Sequence, residues 1–171
     1  MISLRKPASE EASRAMRTKA LAPALAVLLA LATLAGCSPT GTLRPPSGFA
    51  ELDGKRPFDY RATSADGVVL AVRAEPNEPR GSTEFWASAL DLRLRRAGYA
   101  SVASRAVTTS AGVAGRQMRY AREEEGRTYA YWVTVFTTKD RVYLVEAAGD
   151  REAFGPSEKA IEGAVLSFRT E

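Results

Sequence analysis

The segment Arg127–Thr138 constrains the fold most, because it is apolar on both of its sides. If it is a strand, alternate residues point to opposite faces of a sheet. One face then carries Tyr129, Tyr131, Val133 and Val135. The other carries Thr128, Ala130, Trp132, Thr134 and Phe136. A strand of this kind is central in its sheet and is covered by other elements on both faces.

The flanking sequence predicts the rest of an antiparallel sheet. Phe58, Tyr60 and Ala62 alternate with polar residues, and an Asp66-Gly67 turn connects them to a returning strand over 68–75. Further strands are predicted over 99–107, 113–122 and 142–148.

Two helices are predicted beside these strands. The first begins at Ser82 or Thr83, which are suitable N-caps, and ends at Gly98, a residue that favours the left-handed C-terminal position. The second runs from about Phe154 or Pro156 to Phe168. The order of elements predicts an α+β domain, an antiparallel β-sheet flanked by helices. A three-layer α/β/α sandwich accounts best for the doubly apolar strand.

The first 36 residues have the organisation of a targeting segment. A basic stretch ends at Lys19, an uncharged apolar run follows over Ala20–Leu34, and small residues precede Cys37. This arrangement predicts a secretory signal peptide over 1–36. The basic stretch is long for a signal peptide, so we expect translation to begin at Met16. The alternative is an uncleaved membrane anchor, although Ala20–Cys37 is short of the about 20 apolar residues that span a bilayer.

The four residues Leu34-Ala35-Gly36-Cys37 resemble the lipobox of bacterial lipoproteins. The resemblance implies cleavage before Cys37 and a lipid anchor on its thiol, with acyl chains such as palmitate. It therefore implies an extracytoplasmic protein of the cell envelope that is held to a membrane through Cys37. Ser38 follows the cysteine, whereas enterobacterial lipoproteins retained at the inner membrane carry aspartate there. In a Gram-negative cell this favours the outer membrane, facing the periplasm.

Composition excludes several classes of function. The chain has no histidine and one cysteine, so Ser-His-Asp and Cys-His catalysis and an intramolecular disulfide are impossible within it. Residues 1–36 hold five basic and two acidic side chains, and the remaining 19 basic and 18 acidic groups nearly cancel. Nucleic-acid binding needs a clustered basic excess, so it is not expected. We identify no catalytic, metal-binding or cofactor-binding residues, and the acidic Glu123-Glu124-Glu125 turn is interpreted as solvated.

The mature chain is predicted to have two parts. Residues 37–52 comprise the lipidated cysteine and a tether rich in Pro, Gly, Ser and Thr. Residues 53–171 are predicted to form the single α+β domain.

Five stretches of this domain resemble the PsbP-like fold, which includes DcrB-like envelope lipoproteins. They are the hairpin FDYRATSADGVVLAV, the helix end Ala97-Gly98-Tyr99, GRQMRYAREEEGRTYAYWVTVF, VYLVEAAGDREAF and IEGAVLSFR. The resemblance implies a non-enzymatic binding or assembly module with an envelope protein as partner. No residue role can be carried over from it.

One sheet face is a candidate binding site. It is expected to carry Met118, Tyr120, Tyr129, Tyr131, Val133, Leu144 and Glu146. Three tyrosines beside an acid could line a cleft, or they could form a core face under a helix. Arg119 and Trp132 are expected on the opposite face.

The first hypothesis for function is a non-enzymatic interaction module. The alternatives are a lipoprotein that binds a small molecule, lipid or envelope polymer, and an enzyme that works without histidine.

Overall fold

The computed structural model describes residues 41–53 and 57–170, which form nine strands and two helices. The strands are β1 (Gly41–Thr42), β2 (Phe49–Glu51), β3 (Tyr60–Ser64), β4 (Val69–Pro76), β5 (Ala100–Thr108), β6 (Ala114–Glu124), β7 (Arg127–Thr137), β8 (Arg141–Asp150) and β9 (Arg169–Thr170). The helices are α1 (Thr83–Arg96) and α2 (Arg151–Leu166). No helix in the described ranges has the length and hydropathy needed to cross a membrane.

Seven of the strands form one antiparallel sheet in the order β2-β3-β4-β8-β7-β6-β5. The doubly apolar segment is β7, and it pairs with β6 on one side and β8 on the other. The prediction of a central strand is confirmed. β1 and β9 form a separate two-stranded sheet.

The helices cover opposite faces of the sheet, so the α+β class and the three-layer arrangement are confirmed. On the face under α1, which we call the α1 face, the buried core includes Ala87, Tyr120, Val133 and Val135. The α2 face holds the larger core. Its buried residues include Trp132, Phe136, Phe154, Ile161 and Phe168. Covering β7 on both faces removes its apolar surface from water, which is the main stabilising contribution to such a fold.

Local signals set the limits of α1. The side chain of Ser82 accepts a hydrogen bond from the backbone N–H of Phe85 at 3.2 Å, which is the geometry of an N-cap. At the other end Gly98 has φ of +89°, and the N–H of Tyr99 donates to the carbonyl of Leu94 at 3.1 Å. This is the predicted glycine-terminated C-cap.

The second helix begins earlier than predicted. It starts at Arg151, because the Asp150 carboxylate accepts a hydrogen bond from the N–H of Glu152 at 2.9 Å and acts as the N-cap. Pro156 lies inside this helix instead of opening it.

The structure differs from the predicted tether, because part of 37–52 belongs to the fold. Gly41 and Thr42 pair with Thr170 and Arg169, and β2 adds an edge strand beside β3. Gly41 lies against an aromatic ring: a Cβ there would stand 2.9 Å from the Phe168 ring. The missing side chain permits this close approach. The ordered fold therefore includes Gly41. Cys37 and the signal peptide over 1–36 lie outside the described residues.

Candidate functional site

The predicted cluster centres on the Glu146 carboxylate on the α1 face. The hydroxyl of Tyr131, on the neighbouring strand, donates a hydrogen bond to Glu146 Oε1 at 2.5 Å. Arg73, on the strand at the other side, places Nε 2.8 Å from Glu146 Oε2 and Nη2 3.2 Å from Oε1. The carboxylate is thus held from both sides by side chains of β4 and β7.

Burial and charge affect this group together. The side chain of Glu146 is 15% exposed, and Arg73 neutralises it. Burial, followed by the negative charge of Glu146 and the hydrogen bond to it, raises the pKa of Tyr131 far above its usual value. Tyr131 therefore stays protonated and remains a hydrogen-bond donor. With both oxygens engaged, the Glu146 carboxylate is a structural anchor between three strands.

The tyrosines of the α1 face form the core under α1. The rings of Tyr99, Tyr120 and Tyr131 have centroids 5.4–6.4 Å apart, within the range of aromatic pairs. Tyr120 is 1% exposed, and its hydroxyl donates to Asp91 Oδ1 at 2.9 Å. Asp91 Oδ2 is 3.0 Å from Arg95 Nη2 within α1. Burial, followed by the hydrogen bond to Asp91, raises the pKa of Tyr120.

The predicted residues share one face, and the core interpretation of that face is the better one. Met118, Tyr120 and Val133 are buried beneath α1. Tyr129 lies at the far end of β7, opposite Asp150 and Arg122, and takes no part in the hydrogen bonds to Glu146. Sequence analysis missed Arg73, because only the pairing of β4 with β8 brings it diagonally next to Glu146.

A small apolar groove opens beside this cluster, between α1 and the strands β4 and β8. Its volume is about 320 Å³, and Trp86, Leu90 and Leu144 line it. Arg73 and Arg93 lie at its rim. The groove is near the lower limit of volumes that hold drug-sized ligands.

A larger groove of about 610 Å³, which we call the α1–β5 groove, lies on the other side of α1. Its α1 wall contributes Asp91, Leu92 and Arg95, and its floor contributes Ser104 and Met118. Leu92 is 48% exposed and presents an apolar side chain to this groove.

The edge strand β5 forms the outer border of this groove. Every residue of Ala100–Thr108 is exposed except Val107, which is half-buried. A bulge between Ser101 and Ala103 interrupts its pairing with β6, and the pairing is regular from Ala103 to Thr108. Its side chains are small apart from Arg105, and they leave a long backbone edge accessible. Such an edge is a template for an added strand.

The α2 face carries a charged cluster at Glu162. Arg105 Nη2 donates to Glu162 Oε1 at 2.8 Å, and Arg119 Nη2 donates to the same oxygen. Arg119 also lies over the ring of Trp132, with its Cζ 3.7 Å from the centroid, which confirms that these two residues share the α2 face. Burial opposes ionisation, but the hydrogen bond from Arg119 and the charge of Arg105 outweigh it and lower the pKa of Glu162.

The acidic turn lies at the hairpin between β6 and β7. Glu123 accepts a hydrogen bond from Thr128 at 2.6 Å, and Glu124 is 3.5 Å from Arg122. Within residues 41–53 and 57–170, no three His, Cys, Asp or Glu side chains are arranged to bind a metal.

No protein-family model and no curated protein sequence matches the chain. Solved structures do match it. Cyanobacterial PsbP from Synechocystis has a TM-score of 0.55 at 11% identity, covering 80% of this chain and 89% of its own. The fold is PsbP-like. LpqN of Mycobacterium tuberculosis, described as involved in cell envelope biogenesis, has a TM-score of 0.60 at 11% identity, covering 77% of this chain and 83% of its own.

A third solved structure that matches the chain is a protein of unknown function from Pseudomonas aeruginosa. It has a TM-score of 0.55 at 10% identity, covering 76% of this chain and 83% of its own. At these identities the likeness is one of fold. The matching structures therefore support the fold of this chain and do not indicate its function, which depends on the residues at its own surface.

Proposed function

We propose that the chain is a membrane-anchored bacterial lipoprotein that acts as a non-enzymatic interaction module of the cell envelope. The sequence Leu34-Ala35-Gly36-Cys37 supports a lipid anchor at Cys37. Two or three acyl chains at one residue hold a protein at a membrane durably, whereas one chain binds marginally. Ser38 favours the outer membrane, facing the periplasm, in a Gram-negative cell. LpqN, a protein with the same fold, is described as involved in cell envelope biogenesis.

The observation that carries the interaction role is the exposed edge of β5 beside the α1–β5 groove. A partner segment can add a strand to Ala103–Thr108 through backbone hydrogen bonds, while its side chains enter the groove. Leu92 supplies an apolar contact there. Asp91 and Arg95, which form an ion pair with each other within α1, supply a polar border to this wall of the groove.

The opposite edge of the sheet is less suited to this role. β2 spans only Phe49–Glu51, whereas β5 spans Ala100–Thr108. A strand of three residues offers few backbone groups for pairing, and short edge strands are a known way to prevent association. Partner binding is therefore assigned to the β5 edge.

The test is photo-crosslinking from the groove in living cells. A photoreactive amino acid at Leu92 of a C-terminally tagged protein should capture a stoichiometric envelope protein after membranes are solubilised. The same probe at Glu158, on α2, is the positional control and should not capture that protein. Cys37→Ala should abolish capture, because the protein leaves the membrane.

Matched edge variants separate partner binding from folding. Ser104 and Ala50 are small exposed residues on the two edge strands. Ser104→Lys should reduce co-purification at least tenfold, and Ala50→Lys should leave it unchanged, with equal thermal unfolding of both. If a folded, membrane-bound protein captures no partner, or if both variants bind equally, the interaction role through β5 is wrong.

The groove beside Trp86 favours a second candidate, a lipoprotein that binds a small apolar ligand. A thermal-shift screen tests it, since a ligand bound only to the folded state raises its melting temperature. Ala89→Arg should fill this groove and abolish such a shift. Ser88→Arg, on the adjoining exposed position, should not. No stabilising compound from a broad screen of lipids and envelope metabolites would exclude this candidate.

A further inference from the structure

A third groove, which we call the α2-end groove, lies where the chain enters and leaves the fold. It has a volume of about 560 Å³ and is formed by β1, β9, the end of α2 and the turn between β5 and β6. Among the described residues, its lining includes Arg44, Ser110, Leu166, Ser167 and Arg169, and no acidic residue. Leu166 is 45% exposed.

Backbone contacts hold the elements of this groove together. Thr42 pairs with Arg169 in the β1–β9 sheet. The N–H of Arg44 donates to the hydroxyl of Ser167 at 2.8 Å, and the N–H of Ser110 donates to the carbonyl of Leu166 at 2.8 Å. The end of the chain nearest the proposed anchor is therefore joined directly to the end of α2.

The length of chain before β1 limits how far this groove can lie from the membrane. The argument rests on the lipid anchor at Cys37 proposed above. Residues 38–40 connect Cys37 to Gly41, and even fully extended they reach about 14 Å. The headgroup region on one side of a bilayer is about 5–7 Å thick, so this reach is about twice that thickness. The start of β1 must therefore lie within about 14 Å of the lipidated cysteine, and the α2-end groove beside it lies close to the membrane surface.

The chemistry of the groove suits that position. Arg44 and Arg169 are exposed, and neither forms an ion pair with any residue of the described ranges. Guanidinium groups bind phosphate through paired hydrogen bonds and lose less hydration than ammonium groups. Leu166, which lines the same groove, is an apolar residue that can enter the boundary between headgroups and acyl chains.

We propose that the α2-end groove is a docking surface for anionic phospholipid headgroups of the leaflet that carries the anchor. Arg44 and Arg169 bind the phosphates, and Leu166 contacts the acyl boundary. This docking orients the domain. β6 runs from Ala114, near the groove, to Glu124 at the other end, and its residues span about 33 Å. The β5 edge would then project away from the membrane toward a partner.

The first experiment measures the depth of single sites in vesicles. The mature lipidated protein is purified from membranes and reconstituted in phosphatidylglycerol–phosphatidylcholine vesicles. Because the only cysteine carries the lipid, Leu166→Cys and Val102→Cys each add one free thiol for a bimane label. Val102 is also exposed, at 59%, and lies six strand residues from Thr108, about 20 Å farther out. Nitroxide on the lipid headgroup should quench the label at 166 at least threefold more than the label at 102.

The second experiment tests the charges. Arg44→Glu with Arg169→Glu should lower quenching at position 166 to the level at 102. Arg96→Glu with Arg127→Glu, at exposed positions toward the other end of the strands, should not change it. Vesicles of phosphatidylcholine alone should also reduce the difference between the two labels. Circular dichroism of each variant should match that of the parent.

The outcomes separate this orientation from the anchor itself. Equal quenching at 166 and 102 in a protein whose Cys37 lipid is verified by mass spectrometry would overturn the docking surface and leave the lipoprotein assignment intact. Insensitivity of quenching to the Arg44 and Arg169 changes would overturn the headgroup contact. An unmodified Cys37, with no flotation of the protein on vesicles, would overturn the anchor and the orientation with it.

Discussion

The Glu146 carboxylate lies at the junction of three strands, and its two partners come from different sides. Arg73 neutralises its charge and Tyr131 donates a hydrogen bond at 2.5 Å. A hydrogen bond to a charged group stabilises a fold more than a hydrogen bond between neutral groups does. Removing a donor from a partly buried carboxylate therefore lowers the stability of the fold. The residues of this cluster are therefore interpreted as stabilising the sheet.

Tyr131→Phe should lower the free energy of unfolding by about 1.5–3 kcal/mol, because it removes the donor and keeps the ring. Tyr129→Phe is the control on the same strand, since the Tyr129 hydroxyl has no hydrogen bond within the described part of the chain. Urea denaturation followed by tryptophan fluorescence measures both. Equal stability of the two variants would show that the Glu146 contact contributes little.

The lowered pKa of Glu162 leads us to expect that the stability of the fold depends on pH. Its pKa is lowered in the folded state by Arg119 and Arg105. Its ion pairs therefore stabilise the fold above the ordinary pKa of a glutamate, and that contribution is lost as the pH falls through the lowered value. Glu162→Gln should reduce the free energy of unfolding at pH 7, and the difference from the parent should disappear on acidification.

Urea denaturation between pH 7 and pH 3 measures this difference. Glu125→Gln, in the exposed hairpin turn, is the control and should follow the parent across the range. A Glu162→Gln deficit that is constant with pH would contradict the ion-pair explanation. The sequence could not identify this site, because Arg105, Arg119 and Glu162 come from three elements that only the fold brings together.

At the scale of elements, two glycines should respond in opposite ways to an added methyl group. One lies in a close contact between strands, and the other lies in a helix with free space around it. A Cβ on Gly115, in β6, would lie 2.5 Å from the Phe136 ring and 2.8 Å from the Val135 carbonyl oxygen. A Cβ on Gly163, in α2, would meet no atom within 4 Å.

Gly115→Ala should destabilise the protein by about 1–3 kcal/mol, since the pairing of β6 with β7 must shift to accommodate the methyl group. Gly163→Ala should instead stabilise it by about 0.5–1 kcal/mol, because glycine is a poor helix former. Thermal unfolding of the two variants beside the parent measures both effects. A stabilising Gly115→Ala would show that β6 approaches β7 less closely than described.

The elements were predicted from local signals with different success. Alternation identified β7 as a central strand, and turn and cap residues located α1 between Ser82 and Gly98. β1 and β2 were missed because a sequence rich in proline and glycine resembles a linker. They are strands because β1 pairs with β9 at the other end of the described chain and β2 pairs with β3, the next strand along it.

At the scale of the whole molecule, the proposed anchor and the fold should be separable. The sheet, the two helices and the buried core described above lie within residues 41–53 and 57–170, so we expect the stability of the domain not to depend on the lipid. Cys37→Ala should move the protein from the membrane fraction to the soluble fraction and leave the melting temperature of the domain unchanged. Fractionation and differential scanning fluorimetry measure these two results. A change of several degrees would mean that the lipid or its attachment contributes to folding.

The layered arrangement and the excluded kinds of catalysis could be predicted from the sequence. The absence of histidine rules out His-based catalysis within the chain. Both sets of alternate residues in β7 are largely apolar, so this strand must be covered on both faces. These conclusions depend only on residue types and their spacing. Four features are visible only in the three-dimensional structure: Arg73 pairs with Glu146, Glu162 binds two arginines, β5 is an edge strand, and β1 pairs with β9. Those contacts join residues that are distant in the sequence. Which residues lie next to each other is set by the register of the strands, and the register depends on the whole fold.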